Sequence, residues 1–420
     1  MNQTIKKRIE EIKNGSVPEG YKKTKVGIVP VDWEETRFKK MFSRLTRKNK
    51  EGNNNVLTIS AQYGLISQSD FFNKTVASED KSNYFLLNKG EYAYNKSYSN
   101  GYPYGALKRL EFYDKGIVSP LYICFSKTEE NNCPNFYSQY FEAGLMNKEI
   151  KAFAQEGARN HGLLNIAVDD FFNSYLLNPP VAEQEKIARI LETQDKVIKL
   201  KEKLIEQKKQ QKKYLMQQLL TGKKRLPGFT VEWKKEKLGK HMYEYVFKNT
   251  DRQVEKVLSV NNKLGFIDQE EQFGKRIASE DVVTYKVLSK GCIAYNPSRI
   301  NVGSIALYKD DKLGIVSPMY VVLKLKETLN PDYFMALVKT NLFFQQMKIL
   351  LAGSVRDSLK FNDLCQLEFK MPSIEEQQAI EDILSKADKE IELLQKELEE
   401  EKNKKKALMQ LLLTGIVRVV

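Results

Sequence analysis

Histidine is almost missing: His161 and His241 are the only two in 420 residues. Neither has a second histidine or a cysteine at metal-ligand spacing, so both read as surface or packing residues and not as ligands. Cysteine is scarce as well. Cys124, Cys133, Cys292 and Cys365 stand apart with no C-x-x-C pair, as expected of small core residues in a reducing compartment. No apolar run approaches the roughly 20 residues that would span a bilayer. The first residues, M-N-Q-T-I-K-K-R-I-E-E-I-K, are too charged for a signal peptide. A soluble, cytoplasmic chain is expected. Neither form of glycine-rich phosphate loop occurs, G-x-x-x-x-G-K-[ST] or G-x-G-x-x-G.

Two stretches imitate catalytic signatures. Asn178-Pro179-Pro180-Val181 is close to the N-P-P-[YFW] of amino-group DNA methyltransferases, in which the fourth residue stacks on a flipped base. Valine offers no such face, and no F-x-G-x-G lies upstream. The prolines fit the start of a helix instead. Pro331-Asp332 with Glu368-Phe369-Lys370 imitates a P-D…E-x-K nuclease, but the gap is long and the other half of the chain does not repeat it.

What the chain does have is positive charge and repetition. Formal net charge is +14, which favours a polyanionic partner. The text of the first half returns in the second. V-L-T-I-S at Val56 answers V-L-S-V-N at Val257. Gly64, Phe72, Lys74 and A-S-E-D at Ala77 answer Gly265, Phe273, Lys275 and A-S-E-D at Ala278. Y-A-Y-N ending at Asn95 answers I-A-Y-N ending at Asn296, and G-I-V-S-P-L-Y at Gly116 answers G-I-V-S-P-M-Y at Gly314. The two tryptophans, Trp33 and Trp233, follow proline-containing turns at matching places and read as core anchors. Short runs rich in Val, Ile, Tyr and Phe predict strands at Val56–Ser60, Glu91–Asn95 and Ile117–Phe125, with partners in the second half. Phe136–Gln155 and Asp332–Leu351 have helical spacing. Residues 1–20 predict a short polar helix ending near Asn14-Gly15.

Each half then carries a long helical arm. The first starts P-V-A-E-Q at Pro180 and leaves through L-L-T-G at Gly222. The second starts P-S-I-E-E-Q at Pro372 and leaves through L-L-T-G at Gly415. From Gln184 to Gly222 is 38 positions, and so is Gln377 to Gly415, about 57 Å of helix. Ile380, Leu384, Ala387, Ile391, Leu394 and Leu398 alternate in steps of three and four, a coiled-coil seam. Ile187, Leu191, Ile198 and Ile205 hold the same phase in the first arm, beside a second stripe of Ile190, Val197 and Leu204. Residues Gln184–Lys213 carry net +5 and Gln377–Lys406 net −2, so the arms should pair with each other and cover both stripes. The layout looks cyclic, with the ends of the chain near one another.

Polar, basic and aromatic loops recur at matching places: Tyr94–Gly105, Lys108-Arg109 and Glu156–Gly162, then Tyr295–Gly303 and Ala352–Lys360. Such side chains contact phosphates and base edges. They match in position but differ in content: Lys96 falls on Pro297 and Tyr98 on Arg299.

Two α+β domains alternating with two P…EQ…LLTG helices, with Y-N-K-S-Y and G-I-V-S-P-L-Y in one and Y-N-P-S-R and G-I-V-S-P-M-Y in the other, resemble the DNA-specificity subunit of type I restriction–modification systems. The resemblance covers essentially the whole chain. It implies an α+β fold of two tandem target-recognition domains in pseudo-two-fold arrangement, separated by two long antiparallel coiled-coil helices. The expected division is an N-terminal helix at 1–20, a first recognition domain at 21–178, a central spacer arm at 179–225, a second recognition domain at 226–370 and a C-terminal arm at 371–420. The resemblance implies a non-catalytic subunit in which each domain reads one half of a split site in double-stranded DNA. Two modification (methyltransferase) subunits would dock on the helices, and restriction/translocase subunits would join. S-adenosylmethionine, ATP and Mg would belong to those partners, with no cofactor on this chain. Candidate DNA contacts are Lys96, Ser97, Tyr98, Tyr102, Lys108, Arg109, Arg159 and His161, then Asn296, Ser298, Arg299, Asn301, Arg356, Ser358 and Lys360. Arg159 and Arg356, each just after a glycine-bearing loop start, form the leading pair. Ile190, Val197 and Leu204 are the candidate partner-binding stripe. The alternative is a coiled-coil scaffold whose basic domains bind RNA or protein.

Overall fold

The computed structural model describes residues 3–60, 63–71, 80–99, 101–128, 132–156, 162, 164–262, 264–269, 282–351 and 358–419. It divides into two compact units, Met1–Lys201 with Glu397–Val420, and Glu202–Lys396. The fold is α+β, and the two units share most of their strand pairings; among the described residues the pairs Tyr21–Lys23 with Ile28–Pro30 and Gln155–Glu156 with Leu164–Asn165 occur in the first unit alone. In the first, a four-stranded antiparallel sheet runs in the order Phe42–Leu45, Ile123–Lys127, Tyr92–Asn95, Ala106–Arg109. In the second the order is Met242–Glu244, Val321–Leu325, Ile293–Tyr295, Ile305–Leu307. The hairpin of Leu57–Ser60 and Gly64–Ser67 returns as Leu258–Asn261 and Gly265–Asp268. The pair Phe85–Asn88 with Lys115–Val118 returns as Lys286–Leu288 with Gly314–Val316. Even an isolated parallel bridge recurs, Val56 to Ile117 and Val257 to Ile315.

The repeated glycine of G-I-V-S-P has a steric reason. A methyl group on Gly116 would run into the Leu57 side chain, and one on Gly314 would lie 2.5 Å from Leu258 Cδ1. Each leucine is buried in its unit's core, and only a residue without Cβ lets it lie there.

The structure differs from the sequence reading at several breaks. The strand expected over Ile117–Phe125 is two strands, because Ser119-Pro120 turns the chain between Val118 and Ile123. The helix expected over Phe136–Gln155 is two, Pro134–Glu142 and Asn147–Phe153, separated where Gly144 takes φ +70°. That over Asp332–Leu351 also divides, into Pro331–Leu337 and Asn341–Leu351, with the Thr340 hydroxyl donating to the Leu337 carbonyl at 2.7 Å. The N-terminal helix spans Gln3–Lys13 and stops at Asn14-Gly15, with Gly15 at φ +77°.

The arms are continuous helices of 39 residues each, Val181–Leu219 and Ile374–Leu412. In the first unit Gln194 donates to Glu401, Lys201 pairs with Glu397 at 2.6 Å and Lys405 with Asp195 at 2.6 Å. In the second unit Lys208 pairs with Glu390 and Lys212 with Asp388. The partners' numbers rise on one helix as they fall on the other, so the arms run antiparallel. The basic arm faces the acidic one, as the charge count predicts. The seam residues Ile187, Leu191, Ile205, Ile380 and Leu384 are buried. The second stripe is not covered as expected: Ile190 and Leu204 stay exposed and Val197 is half-buried. The ion pairs fix which face each helix turns to the other, and that face carries the seam alone.

The repeated ends of the arms lock by the same contacts in both units. Glu183 accepts from Trp33 Nε1 at 2.9 Å and from Arg418 Nε and Nη2 at 2.8 Å each. Glu376 accepts from Trp233 Nε1 at 2.9 Å and from Arg225 Nε and Nη2 at 2.7 Å each. The arginine lies three residues beyond the L-L-T-G glycine of one arm; the glutamate lies in the first turn of the other. The glycines cap their helices at φ +68° and +73°, with Gly222 N donating to Leu219 O and Gly415 N to Leu412 O, the inner bond of a Schellman-type close. A Cβ at Gly222 would meet the Trp233 ring at 3.0 Å, and one at Gly415 would meet Pro30 Cδ at 2.5 Å. Near this point the start of the chain meets its end in the first unit. Arg8 donates to the Ile416 carbonyl and Tyr21 to that of Gly415, both at 2.7 Å.

Burial alone would raise the Glu183 pKa, but hydrogen bonds from Arg418, Trp33 and Val419 N outweigh it and leave it lowered. Its contribution is therefore fully present above the ordinary value of 4.5 and is lost as pH falls through the lower folded value. Arg418→Ala leaves this buried carboxylate unpaired. The expected loss is about 3 kcal/mol, read as weakened hydrogen-exchange protection in the first unit and unchanged protection in the second. Equal loss in both units would refute the local clasp.

Candidate nucleic-acid interface

The Tyr92–Asn95 strand and its counterpart Ile293–Tyr295 end in the two loops singled out by composition. Tyr94 and Tyr295 are buried beneath them, and each loop is tied down by main-chain bonds. In the first unit Leu164 N donates to Lys96 O at 3.0 Å, and Tyr98 N donates to Gly162 O at 2.7 Å. In the second Leu359 N donates to Pro297 O at 3.0 Å. Lys96 and Pro297 are the aligned residues, so one rung joins two loops at the same place in both units. Asn95 Oδ1 accepts from Ser97 N and Asn296 Oδ1 from Ser298 N, each at 3.1 Å. These Asx turns recur as well.

On these scaffolds Tyr98, Ser298, Arg299, Asn301 and Lys360 are exposed, and Lys96, Ser97, Asn296 and Ser358 are half-buried. Arg299 precedes a short 3-10 turn, Ile300–Val302, closed by Gly303 at φ +89°. Asn301 lines a recess with Phe344 and Lys348. Lys360 starts the helix Phe361–Gln366, its N–H donating to Asp363 Oδ2.

Three of the candidates are placed otherwise. Arg109 stands opposite Tyr92, at the far end of the hairpin from Asn95, where it donates to Asn135 at 2.7 Å and pairs with Glu111 at 2.9 Å. Lys108 is paired with Glu142, and both Lys108 and Glu142 hydrogen-bond the Tyr102 hydroxyl. Burial first, and Glu142 second, push the Tyr102 hydroxyl pKa up. These side chains form a charge-compensated network, not an open cationic face. Arg159, His161 and Arg356 lie outside the described residues. His241 is buried, with Nδ1 2.9 Å from Thr328 Oγ1 and Nε2 2.7 Å from Glu236.

Sequence reasoning passed over Lys48 and Lys248, 200 positions apart. They bridge Phe85 and Lys286 on the second, two-stranded sheet of each unit. Their recurrence was the available signal.

The catalytic imitations have structural roles. Asn178 Oδ1 accepts from Tyr137 and Gln184 at the start of the first arm. Asp332 pairs with Lys309 and Glu368 with Lys235. Among the described residues no group of three or more His, Cys, Asp and Glu could hold a metal ion. No described helix is long and apolar enough to cross a membrane.

Residues 230–402 match the type I restriction modification DNA specificity domain. The whole chain has relatives of the same description. A provisionally named type I restriction enzyme MjaX specificity subunit of Methanocaldococcus jannaschii is 24% identical over 96% of this chain and 97% of its own. The MjaVIII specificity subunit of the same organism is 26% identical over 73% of this chain and 75% of its own. A chain from a solved type I R-M system matches 93% of this chain and 99% of its own at TM-score 0.57 and 14% identity. The HsdS subunit from Thermoanaerobacter tengcongensis matches 93% and 98% at TM-score 0.50 and 14% identity. These structures show the fold, and the sequence matches bear out the resemblance read from the repeats.

Lys108→Ala should destabilise the first unit by about 1–2 kcal/mol, because it removes the ammonium from the half-buried Glu142–Tyr102 network. Chemical denaturation checks this. An unchanged midpoint would mean that the pair is not structural.

Proposed function

We propose that this chain is the sequence-specific DNA-binding specificity subunit of a type I restriction–modification complex. The observation that carries the reading is the knitted loop pair, present at one place in both units on one backbone plan and dressed with different side chains. Each unit contacts one half of a split DNA site. Lys96, Ser97 and Tyr98 serve the first half-site; Asn296, Ser298, Arg299, Asn301, Ser358 and Lys360 serve the second. Arg159, His161 and Arg356 belong to the same loops by sequence. Tyr102 and Lys108 support the first loop and Arg109 the far end of its hairpin, their charges being engaged already. The stripe of exposed Ile190 and Leu204 with half-buried Val197 is apolar surface for the modification subunits, and restriction/translocase subunits complete the assembly. The chain itself is non-catalytic: S-adenosylmethionine, ATP and Mg serve the partners. The equal arms set the gap between the half-sites.

Mapping methylated adenines in host DNA with and without the gene tests the whole reading. A split motif should vanish with the gene, and unchanged methylation would overturn the proposal. In the assembled methyltransferase, Arg299→Ala should weaken cognate binding about tenfold or more and relax preference in one half-site only. Inserting one or two helical turns in both arms should change the gap and leave the half-sites alone. Altered half-site preference would contradict the spacer role.

A further inference from the structure

The turn that splits G-I-V-S-P from the next strand has an unexplained tip. In the first unit Tyr122 N donates to Ser119 O at 3.0 Å, and in the second Tyr320 N donates to Ser317 O at 3.0 Å. Both are β-turns with proline in the second position, where it is favoured. The third position carries Leu121 or Met319, which the turn does not require. Both stand in the open, 61% and 63% exposed, between a buried valine and a tyrosine that packs inward. A single exposed leucine needs no explanation. The same exposure at the same rung of a duplicated domain does.

Their location is specific. The strand after each turn opens with Ile123 opposite Tyr94 and Val321 opposite Tyr295. The tip therefore stands at the sheet end from which Asn95 and Asn296 lead into the knitted loops. A lysine lies on a nearby strand in both units, the Lys48 ammonium donating to the Asn83 carbonyl at 2.8 Å and resting over the Phe85 ring at 4.3 Å. Lys48 bridges Phe85, which lies opposite Val118; Lys248 bridges Lys286, which lies opposite Val316. Each lysine is thus one strand from the residue preceding the turn.

We propose that these two turns are DNA contacts in their own right, with Leu121 and Met319 laid against base edges and Lys48 and Lys248 on the neighbouring phosphates. The inference rests on the DNA-specificity reading above and deepens it. An apolar side chain recognises the methyl edge of thymine in the major groove, and a nearby lysine supplies the backbone contact. A protein partner fits less well. Around Met319 the adjoining strand adds exposed Val246 and Phe247, but their counterparts by position are Thr46 and Arg47. Only the tip and the lysine are common to both units, too little for a protein interface. The two kinds of contact then divide the work: the tips recur and meet a feature shared by the half-sites, and the loops differ and meet what distinguishes them.

The test uses the full chain assembled with its modification subunits and a duplex carrying the split site found by methylation mapping. Leu121→Ser and Met319→Ser should each weaken cognate binding about tenfold, with non-specific binding, salt slope, thermal unfolding and subunit assembly unchanged. Leu121→Met should bind as wild type does. Lys48→Ala and Lys248→Ala should each reduce the salt slope by about one. Cognate affinity within twofold of wild type for both serine variants overturns the proposal. So does loss of subunit assembly at undiminished DNA affinity, which would make the tip a protein contact. If wild type itself does not distinguish the mapped site from a scrambled duplex, the DNA-specificity reading falls as well.

Discussion

A buried carboxylate at the first turn of each arm is the constraint on which the rest depends. Glu183 and Glu376 are nearly inaccessible to water, so each must be answered in place. The answer comes from far along the chain. Arg418 reaches Glu183 across 235 positions, and Arg225 reaches Glu376 across 151. The helix N-terminus favours an acid there, and the bidentate guanidinium fixes its orientation. The next residue extends the lock. Gln184 accepts from Cys133 N and Gln377 from Asn330 N, and those residues cap the helices Pro134–Glu142 and Pro331–Leu337. One Glu-Gln dipeptide per unit thereby holds an arm start, an arm end, a tryptophan and the first helix after the sheet.

This explains why the duplication was legible. The residues that recur have geometric tasks few alternatives can perform. Gly116 and Gly314 admit a leucine, Gly222 and Gly415 close a helix against a bulky neighbour, and Glu183 and Glu376 receive an arginine and an indole together. The arms were legible because a seam at steps of three and four, with opposite charge on the two helices, determines pairing by local arithmetic. The breaks were not. Apolar spacing continues through Gly144 and Thr340, and only the packing of the two short helices on either side shows that the chain must bend there.

The candidate loops were legible as recurring text, and the state of their side chains was not. Sequence alone treats Lys108 and Arg299 alike, as cations in polar text. Tertiary placement separates them: Lys108 is set beside Glu142, a residue 34 positions away, and Arg299 lies on the rim of a turn. The same holds for the arms, whose lysines at 201, 208 and 212 face Glu397, Glu390 and Asp388. A net charge of +14 therefore overstates the field available to a polyanion along the arms. The surplus that counts sits where no carboxylate has been supplied.

The two loops show how one backbone plan can carry two sets of side chains. The rung that knits each loop uses the carbonyl of residue 96 or 297, not its N–H. A proline can accept there as well as a lysine can, since only its missing N–H would be a loss. Replacing Lys96 by its counterpart Pro297 thus leaves the rung intact. The Asx turn that follows uses Asn95 or Asn296 and the next main-chain N–H, again without the side chains that differ. Backbone and side chain are decoupled at 95–97 and 296–298; beyond them the frames part, Tyr98 N donating to Gly162 O and Arg299 N to Asn296 O. Under the reading proposed here, a split site with unlike halves follows from that decoupling. The scaffold demands the residues that repeat, and the partner selects the ones that do not.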